Sequence, residues 1–336
     1  MKVICYRTWP KRLLSLALLC WSCGNANPNP TTSEDQAKPT PVEIPQLEVT
    51  PTEVNDFPLH PLGLSFQMGD FELPNAISHK PIGNGMITED HHILLTFPSR
   101  SQVVKFQAPE FDTFFWGPAA TGGNGTPLEQ PYLIRQFDGS FFVSEQNSGQ
   151  VWQLDMSGQT QNVFNLKAPP MALGPQGQGV VFFAQDPSLF IRVDGKGARQ
   201  QGFYAGPVFE ALGKKNMEAG KLWLMADLQS IYVNNPPDVL VHFQANARVA
   251  RVLHLHLEAL PIQGPAWRLG DVKLKNDQYW VLITDTQQSL LLRIRLEGQV
   301  QDVWRLPFPA DGFDFSSQLF LLYQRSEGRA QTYRVI

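Results

Sequence analysis

The amino-acid sequence predicts an all-β fold, a ring of repeated four-stranded units of the propeller type, and three observations support this prediction. From about residue 62 the chain consists of short runs of β-branched, aromatic and leucine residues separated by Gly, Pro, Asn and Asp, which is typical of strands joined by turns. Helical periodicity is almost absent from this region. Strand-turn-strand units recur at intervals close to the 40–50 residues of propeller blades.

Two copies of the repeat are the clearest, residues 138–159 and 276–299. Each contains an apolar strand, a polar turn, an alternating strand and a turn with glycine. Weaker copies complete a series of strand starts at Ile93, Phe141, Val180, Leu222, Tyr279 and Leu319, with intervals of 48, 39, 42, 57 and 40 residues. The series predicts six blades. Seven blades are the alternative, because the long interval from Leu222 to Tyr279 leaves the register open there.

The two ends of this region predict how the ring closes. A segment with strand character, residues 64–73, precedes the first repeat, and the chain ends in a further strand at residues 332–336. Pairing the N-terminal strand with the last blade closes the ring and protects sheet edges.

The N-terminus has the pattern of an export signal. Four basic residues, Lys2, Arg7, Lys11 and Arg12, precede an apolar run of about nine residues at 13–21, which is too short for a bilayer that needs about 20. A basic segment, a short apolar segment and small residues indicate a signal peptide over residues 1–22.

The segment Leu19–Gly24 resembles the lipobox of bacterial lipoproteins, with Ser22 before Cys23. The resemblance implies cleavage before Cys23 and lipidation of that cysteine, and several acyl chains form a stable membrane anchor. Gly24 in place of Asp implies, by the same resemblance, an outer-membrane lipoprotein of the cell envelope that faces the periplasm or the surface.

A spacer is predicted between the anchor and the ring. Residues 24–61 contain eight prolines among Asn, Thr, Glu and Gln, a composition that disfavours a packed core. We therefore expect a lipidated Cys23 and a disordered linker over residues 23–61, followed by a propeller domain over 62–336. Residues 24–336 contain no cysteine, so the domain is expected to be stable without disulfides.

The charge balance excludes some classes of function. Removal of residues 1–22 leaves 23 basic and 31 acidic side chains, a net charge of −8, which disfavours nucleic-acid binding. The sequence also contains no Gly-x-Ser-x-Gly nucleophile elbow and no Walker phosphate loop.

The repeats at 138–159 and 276–299 resemble those of the NHL and SMP-30/gluconolactonase-like six-bladed propellers, in which a strand ending in a polar pair leads through a turn to a strand of the type Val-Trp-x-Leu-Asp. The resemblance implies a divalent metal in the central channel, held by oxygen ligands that suit calcium. The candidate ligands here are Glu145, Asn147, Asp285 and Asp311. The same residue types also end strands and bond to the backbone of turns, and that interpretation stays open.

Two further groups could form binding sites. His254, His256 and Glu258 alternate with leucines, which places them on one face of a strand, either as zinc ligands or as the polar face of an outer strand. Residues 114–116, Phe-Phe-Trp before a Gly-Pro turn, form either an exposed aromatic rim or a turn packed between blades.

Together these observations predict an exported, membrane-anchored propeller without a cofactor, acting as a binding or scaffold module for a protein, peptide or glycan of the cell envelope. The alternative is a calcium-dependent hydrolase of the lactonase or esterase type. The fold alone does not decide between them.

Overall fold

The computed structural model describes residues 44–51, 53–59, 61–66, 82–107, 112–166, 169–170, 172–176, 179–183, 189–194, 199–204, 222–224, 230–234, 239–244, 249–260 and 267–335. The predicted signal peptide, Cys23 and the spacer up to residue 43 lie outside the described residues. In the part of the chain that is described, no helix has the length and apolar character needed to cross a membrane.

Twenty-six strands are described, and all of them lie in six sheets, which we call blades 1 to 6. The N-terminal strands are β1 (Gln46–Val49), β2 (Asn55–Asp56) and β3 (Pro61–Phe66). Blade 1 contains β4 (Gly85–Ile87), β5 (Ile93–Phe97), β6 (Gln102–Gln107) and β7 (Asp112–Trp116). Blade 2 contains β8 (Pro131–Phe137), β9 (Ser140–Glu145), β10 (Gln150–Leu154) and β11 (Thr160–Asn165). Blade 3 contains β12 (Ala172–Gln176), β13 (Gly179–Phe183), β14 (Leu189–Asp194) and β15 (Arg199–Tyr204).

Blade 4 contains β16 (Leu222–Leu224), β17 (Ser230–Asn234), β18 (Val239–Gln244) and β19 (Val249–Leu255). Blade 5 contains β20 (Arg268–Lys275), β21 (Gln278–Thr284), β22 (Ser289–Arg295) and β23 (Val300–Arg305). Blade 6 contains β24 (Gly312–Phe315), β25 (Leu319–Gln324) and β26 (Arg329–Arg334), and β3 is its fourth strand. Short 3-10 turns lie at Pro98–Arg100, Ala119–Thr121 and Leu257–Ala259.

The blades form a closed ring around a central channel. The first strands of neighbouring blades contact one another: β24 with β4, β4 with β8, β8 with β12, β12 with β16, and β20 with β24. Blades 4 and 5 meet through a shared apolar core. Because the first strands of neighbouring blades contact one another, the first strand of each blade lines the channel and the fourth lies at the rim. Successive strands within each blade are antiparallel.

Two tight turns show how the sequence specifies the hairpins. Asp138 and Gly139 join β8 to β9 with φ values of 51° and 67°, and Asn276 and Asp277 join β20 to β21 with φ values of 52° and 56°. Two-residue turns with positive φ at both positions match the twist of antiparallel strands and favour Asn, Asp and Gly. These turns open the two clearest repeats in the sequence.

The core lies between the blades. In β21, Leu282 packs towards blade 6 while Val281 and Ile283 pack towards blade 4. Successive side chains of a strand point to opposite faces, so a strand buried on both faces has a continuous apolar sequence, as here. An equivalent cluster joins blade 6 to blade 1, where Leu321 and Tyr323 pack against Ile93 and Leu95.

An N-terminal strap, residues 46–66, runs along the rim of three blades. Strand β1 pairs in parallel with β19 of blade 4, β2 pairs in parallel with β23 of blade 5, and β3 pairs antiparallel with β26 of blade 6. The predicted closure by an N-terminal strand is therefore confirmed for residues 64–66, and the rest of the predicted strand, residues 67–73, lies outside the described residues.

The predicted spacer over 23–61 differs from the structure from Gln46 onward, where the chain pairs with the ring. Isolated apolar side chains explain this difference. Val49 is fully buried in the core between blades 4 and 5, and Phe57 contacts Phe320 and Tyr333 with ring centroids 5.3 and 5.2 Å apart. The average composition of residues 24–61 is rich in proline and therefore does not reveal that Val49 and Phe57 anchor this segment to the ring.

One predicted repeat start is displaced by one strand. Five of the six starts lie on the second strand of a blade, but Leu222 lies on β16, the first strand of blade 4. The second strand of that blade, β17, begins at Ser230. The long interval after Leu222 therefore arises from the choice of strand, and the described residues form six sheets.

Candidate functional site

The four predicted channel residues lie on one face of the ring. Strand direction alternates within a blade, so the loops between second and third strands and the connections between blades lie on the same face, which we call the upper face. Glu145 and Asn147 lie at the loop between β9 and β10, Asp285 lies between β21 and β22, and Asp311 precedes β24. Cys23, the predicted lipidation site, lies outside the described residues.

Glu145 binds the backbone of the segment that leads into its own blade, residues 129–130. Its side chain is buried, Oε1 accepts a hydrogen bond from Glu129 N at 3.1 Å, and Oε2 accepts one from Gln130 N. Burial raises the pKa of Glu145, although these backbone hydrogen bonds oppose the shift. The neighbouring Asn147 is exposed.

The two aspartates also bond to the backbone. Asp285 Oδ1 accepts from Gln287 N at 2.7 Å and Gln288 N at 2.8 Å, and this bonding fixes the turn after β21. Asp311 Oδ2 accepts from the backbone N of Arg325 at 2.9 Å, and its Oδ1 lies 3.4 Å from Arg268 Nη2. In the described part of the chain, no group of three or more His, Cys, Asp or Glu is placed to hold a metal ion. The arrangement therefore fits calcium poorly at these four positions, and calcium binding stays a prediction.

The histidines after residue 253 contact the strap. His254 Nε2 lies 2.9 Å from Gln46 Oε1, and His256 lies between Glu48 Oε2 at 2.6 Å and Glu258 Oε1 at 2.8 Å. Hydrogen bonds to Glu48 and Glu258 raise the pKa of His256. Leu253 and Leu255 are buried, as expected for an outer strand with a polar face. The prediction that all three polar residues share that face is wrong, because β19 ends at Leu255 and Glu258 lies in the 3-10 turn Leu257–Ala259.

The aromatic segment at residues 114–116 lies on a strand instead of a loop. These residues belong to β7, the outer strand of blade 1, where Trp116 pairs with Val103. Trp116 is buried against Phe141, with ring centroids 5.1 Å apart, whereas Phe114 is 47% exposed. The predicted rim of three aromatic side chains is therefore reduced to one exposed side chain, because Trp116 packs in the core shared by blades 1 and 2 and Phe115 is partly buried against the core shared by blades 6 and 1.

Polar residues of the inner strands, which the sequence did not identify, join the blades around the channel. Asp271 Oδ2 on blade 5 accepts from Phe313 N on blade 6 at 3.3 Å. Asp314 Oδ2 on blade 6 accepts from Ile87 N on blade 1 at 2.7 Å. In each case a side chain of one inner strand accepts the backbone N–H of the next. The available sequence signal was a lone aspartate within an apolar inner strand.

Asn84, which precedes β4, makes similar hydrogen bonds from blade 1 to both of its neighbouring blades. Asn84 Oδ1 accepts from Arg135 Nη1 on blade 2 at 2.9 Å, and Asn84 Nδ2 donates to Tyr323 Oη on blade 6 at 3.2 Å. Tyr323 is 1% exposed, and burial raises its pKa to about 12. Gly312 is required beside it, because a Cβ atom there would lie 2.2 Å from Tyr323 Oη.

Arg325 differs from these joined groups. Its Nε is buried and has no hydrogen-bond partner in the described structure, while the residue as a whole is partly exposed. Its guanidinium lies 5.9 Å from the centre of the Tyr323 ring. Burial lowers the pKa of Arg325, but Tyr323, Tyr132, Asp271 and Asp311 together raise it above its usual value. These neighbours belong to blades 2, 5 and 6, so the guanidinium lies at the upper mouth of the channel.

Comparison with known proteins identifies the fold. No protein-family model and no curated protein matches the chain. Among solved structures, virginiamycin B lyase from Staphylococcus aureus matches with a TM-score of 0.53 and 9% identity, covering 81% of this chain and 99% of that one. U3-55K matches with a TM-score of 0.54 and 9% identity (80% and 99% covered), and the WD40 repeats of RRP9 match with 0.53 and 10% (81% and 99%).

The chain is a β-propeller. Matches at this level of identity carry no information on activity, since one propeller here is a lyase and another is described by its WD40 repeats. The function of this propeller therefore has to be argued from its own channel and faces.

Proposed function

We propose that the protein is an exported lipoprotein, attached through Cys23, whose propeller is a binding module at the cell envelope with its ligand at the upper mouth of the channel. The N-terminal basic, apolar and lipobox-like segments support export and attachment. The propeller fold is compatible with either binding or catalysis. The choice between these two functions therefore depends on the side chains in and around the channel.

The hydrogen bonding of the charged groups at the channel favours a binding function over catalysis. The described acids of the upper face and the inner strands, Glu145, Asp271, Asp285, Asp311 and Asp314, accept backbone N–H groups. Arg325 has a buried Nε with no partner in the described structure. Asp285 Oδ2 is also buried without a partner, but the Oδ1 of the same carboxylate is held by two backbone N–H groups. An arginine left available in this way supports recognition of a ligand more than it supports acid–base catalysis, which needs a titratable group in reach of the substrate.

Photocrosslinking from the two faces in living cells tests the binding role. A photoreactive residue at Asn147 reports on the upper face, and one at Asp277 is its exposed control on the opposite face. We expect a discrete adduct from position 147 and none from position 277. Adducts from position 277 alone, or from neither position, would overturn the proposed macromolecular partner.

The membrane attachment has its own test. Wild-type protein is expected in the membrane fraction with a lipidated N-terminal cysteine detected by mass spectrometry, and a Cys23→Ser variant is expected without lipid. An unmodified Cys23 in the mature wild-type protein would contradict this part of the proposal.

Calcium titration of the purified protein tests the alternative hydrolase. We expect no saturable calcium binding and no hydrolysis of lactone or ester substrates. Tight calcium binding that is lost in Glu145→Gln and Asp285→Asn, together with hydrolysis, would replace the binding role with a calcium-dependent hydrolase.

A further inference from the structure

The unpartnered Nε of Arg325 indicates what chemistry its ligand has. A buried donor without an acceptor is energetically unfavourable, and native structures rarely retain one without a reason. The nearest carboxylates do not supply the acceptor. Asp311 bonds to the Arg325 backbone and to Arg268, and Asp271 accepts from Val272 N at 2.9 Å and Phe313 N at 3.3 Å.

The charges around the channel favour a ligand with one negative charge. Two carboxylates, Asp271 and Asp311, lie close enough to the Arg325 guanidinium to raise its pKa. A dianion such as phosphate would face repulsion from the nearby aspartates, since like charges at close range disfavour each other.

The geometry of the side chain favours a planar acceptor. A guanidinium presents N–H groups in a fixed fork that matches the two oxygens of a carboxylate. The Tyr323 ring lies beneath the guanidinium, and aromatic stacking of this kind restrains an arginine side chain. The partial exposure of Arg325 leaves a route from the upper face.

We propose that Arg325 binds a carboxylate that enters the channel from the upper face, either the C-terminal carboxylate of a peptide or that of a small carboxylic acid. This inference rests on the proposed ligand site at the upper mouth and adds the chemical class of the ligand.

Titration of the purified protein by NMR and calorimetry tests the inference. The probes are acetate, N-acetyl-alanine, N-acetyl-alanine amide and inorganic phosphate. We expect saturable binding of the carboxylates, a shift of the Arg325 Nε–H resonance on binding, and little binding of the amide or phosphate. Similar affinity for acetate and N-acetyl-alanine assigns a small acid, whereas tighter binding of N-acetyl-alanine assigns a peptide C-terminus.

Variants of Arg325 complete the test. Arg325→Met is expected to weaken carboxylate binding about tenfold or more, because it removes a charge-assisted hydrogen bond. Arg325→Lys keeps the charge without the fork and is expected to bind with intermediate affinity. Arg334→Met, at an exposed arginine on β26, is the matched control and is expected to bind as wild type does.

Two results would overturn the inference. Equal affinity for N-acetyl-alanine and its amide in the wild-type protein would exclude carboxylate recognition, and this comparison does not depend on any variant folding. If position 147 crosslinks but no carboxylate binds, the proposed carboxylate ligand is wrong and the proposed binding module still stands. Crosslinking from neither face, with carboxylate binding retained, would instead remove only the macromolecular partner.

Discussion

The inner strands and the outer rim hold the ring together in different ways. On the inside, carboxylates of one blade accept backbone N–H groups of the next, as the buried Asp271 does with Phe313 at 3.3 Å and the partly buried Asp314 does with Ile87 at 2.7 Å. At the rim, the strap adds short parallel strands to blades 4 and 5, and exposed contacts such as His256–Glu48 accompany them. A cavity of about 320 Å³ lies between the strap and blade 5, lined by polar residues that include Glu48, Glu53 and Gln301.

This difference has a physical consequence. A buried donor that loses its acceptor is left unsatisfied, whereas an exposed group regains water. Exposed ion pairs contribute little to stability. We therefore expect changes in the inner strands to affect the whole ring and changes at the rim to act locally on the strap.

The largest expected effect contrasts two phenylalanines. Phe313, on the inner strand of blade 6, is fully buried and stacks near Phe320 with ring centroids 5.8 Å apart. Phe313→Ala is expected to lower the free energy of unfolding by about 3–5 kcal/mol. Phe114→Ala, at an exposed outer-strand position, is the matched control and is expected to change it by less than about 0.5 kcal/mol. If chemical denaturation gives the same loss of unfolding free energy for Phe313→Ala and Phe114→Ala, the inner strands and the rim do not differ in the way proposed.

A smaller effect is expected at the joint between blades 6 and 1. Asp314→Ala removes the acceptor of Ile87 N and is expected to cost about 1–3 kcal/mol of unfolding free energy. Asp314→Asn retains an oxygen acceptor and is expected to lose less. If both variants unfold as the wild type does, Asp314 does not join the blades.

The smallest effect is expected at the strap and depends on pH. Glu48 and Glu258 raise the pKa of His256 above its usual value, so protonated His256 favours the paired strap. Because the folded-state pKa is the higher one, this stabilisation is complete below the unfolded pKa of about 6.5 and is lost as pH rises through the folded pKa. An NMR titration of His256 should give a lower pKa in Glu48→Gln than in the wild type.

Hydrogen exchange supplies the structural side of the same prediction. Amides of β1, which pairs with β19, are expected to exchange faster as pH rises through the His256 pKa, after correction for intrinsic exchange, and a His256→Gln variant should lack this step. An identical step in that variant would show that His256 does not control the strap.

Much of the fold could be predicted because its signals are local. The turns at Asp138-Gly139 and Asn276-Asp277 specify hairpins through residues next to each other in the chain. The start at Leu222 was displaced because the sequence that follows it, residues 225–229, contains no pair of the Asp-Gly or Asn-Asp type. In the strap, two apolar side chains, Val49 and Phe57, outweigh a composition that predicts a spacer.

The channel could be predicted only in part because its contacts are distant in sequence. Glu145 and Asp285 attract attention as polar residues that end strands, and both lie on the upper face. The partners Asn84 and Tyr323 are 239 residues apart, so no local pattern connects them. Arg325 follows an apolar strand like many surface arginines, and only the folded ring shows that its Nε is buried.

The most direct test of the central claim is the free energy of unfolding of Arg325→Met beside Asp271→Ala, measured in urea with the slope monitored. The claim is that channel acids join the blades while Arg325 is retained for a ligand. Arg325→Met is expected to lose less free energy of unfolding than Asp271→Ala, because Arg325 Nε has no hydrogen-bond partner to lose in the described structure. Asp271→Ala leaves Phe313 N without its acceptor and is expected to lose about 1–3 kcal/mol. A loss of about 3 kcal/mol or more in Arg325→Met, with none in Asp271→Ala, would contradict it.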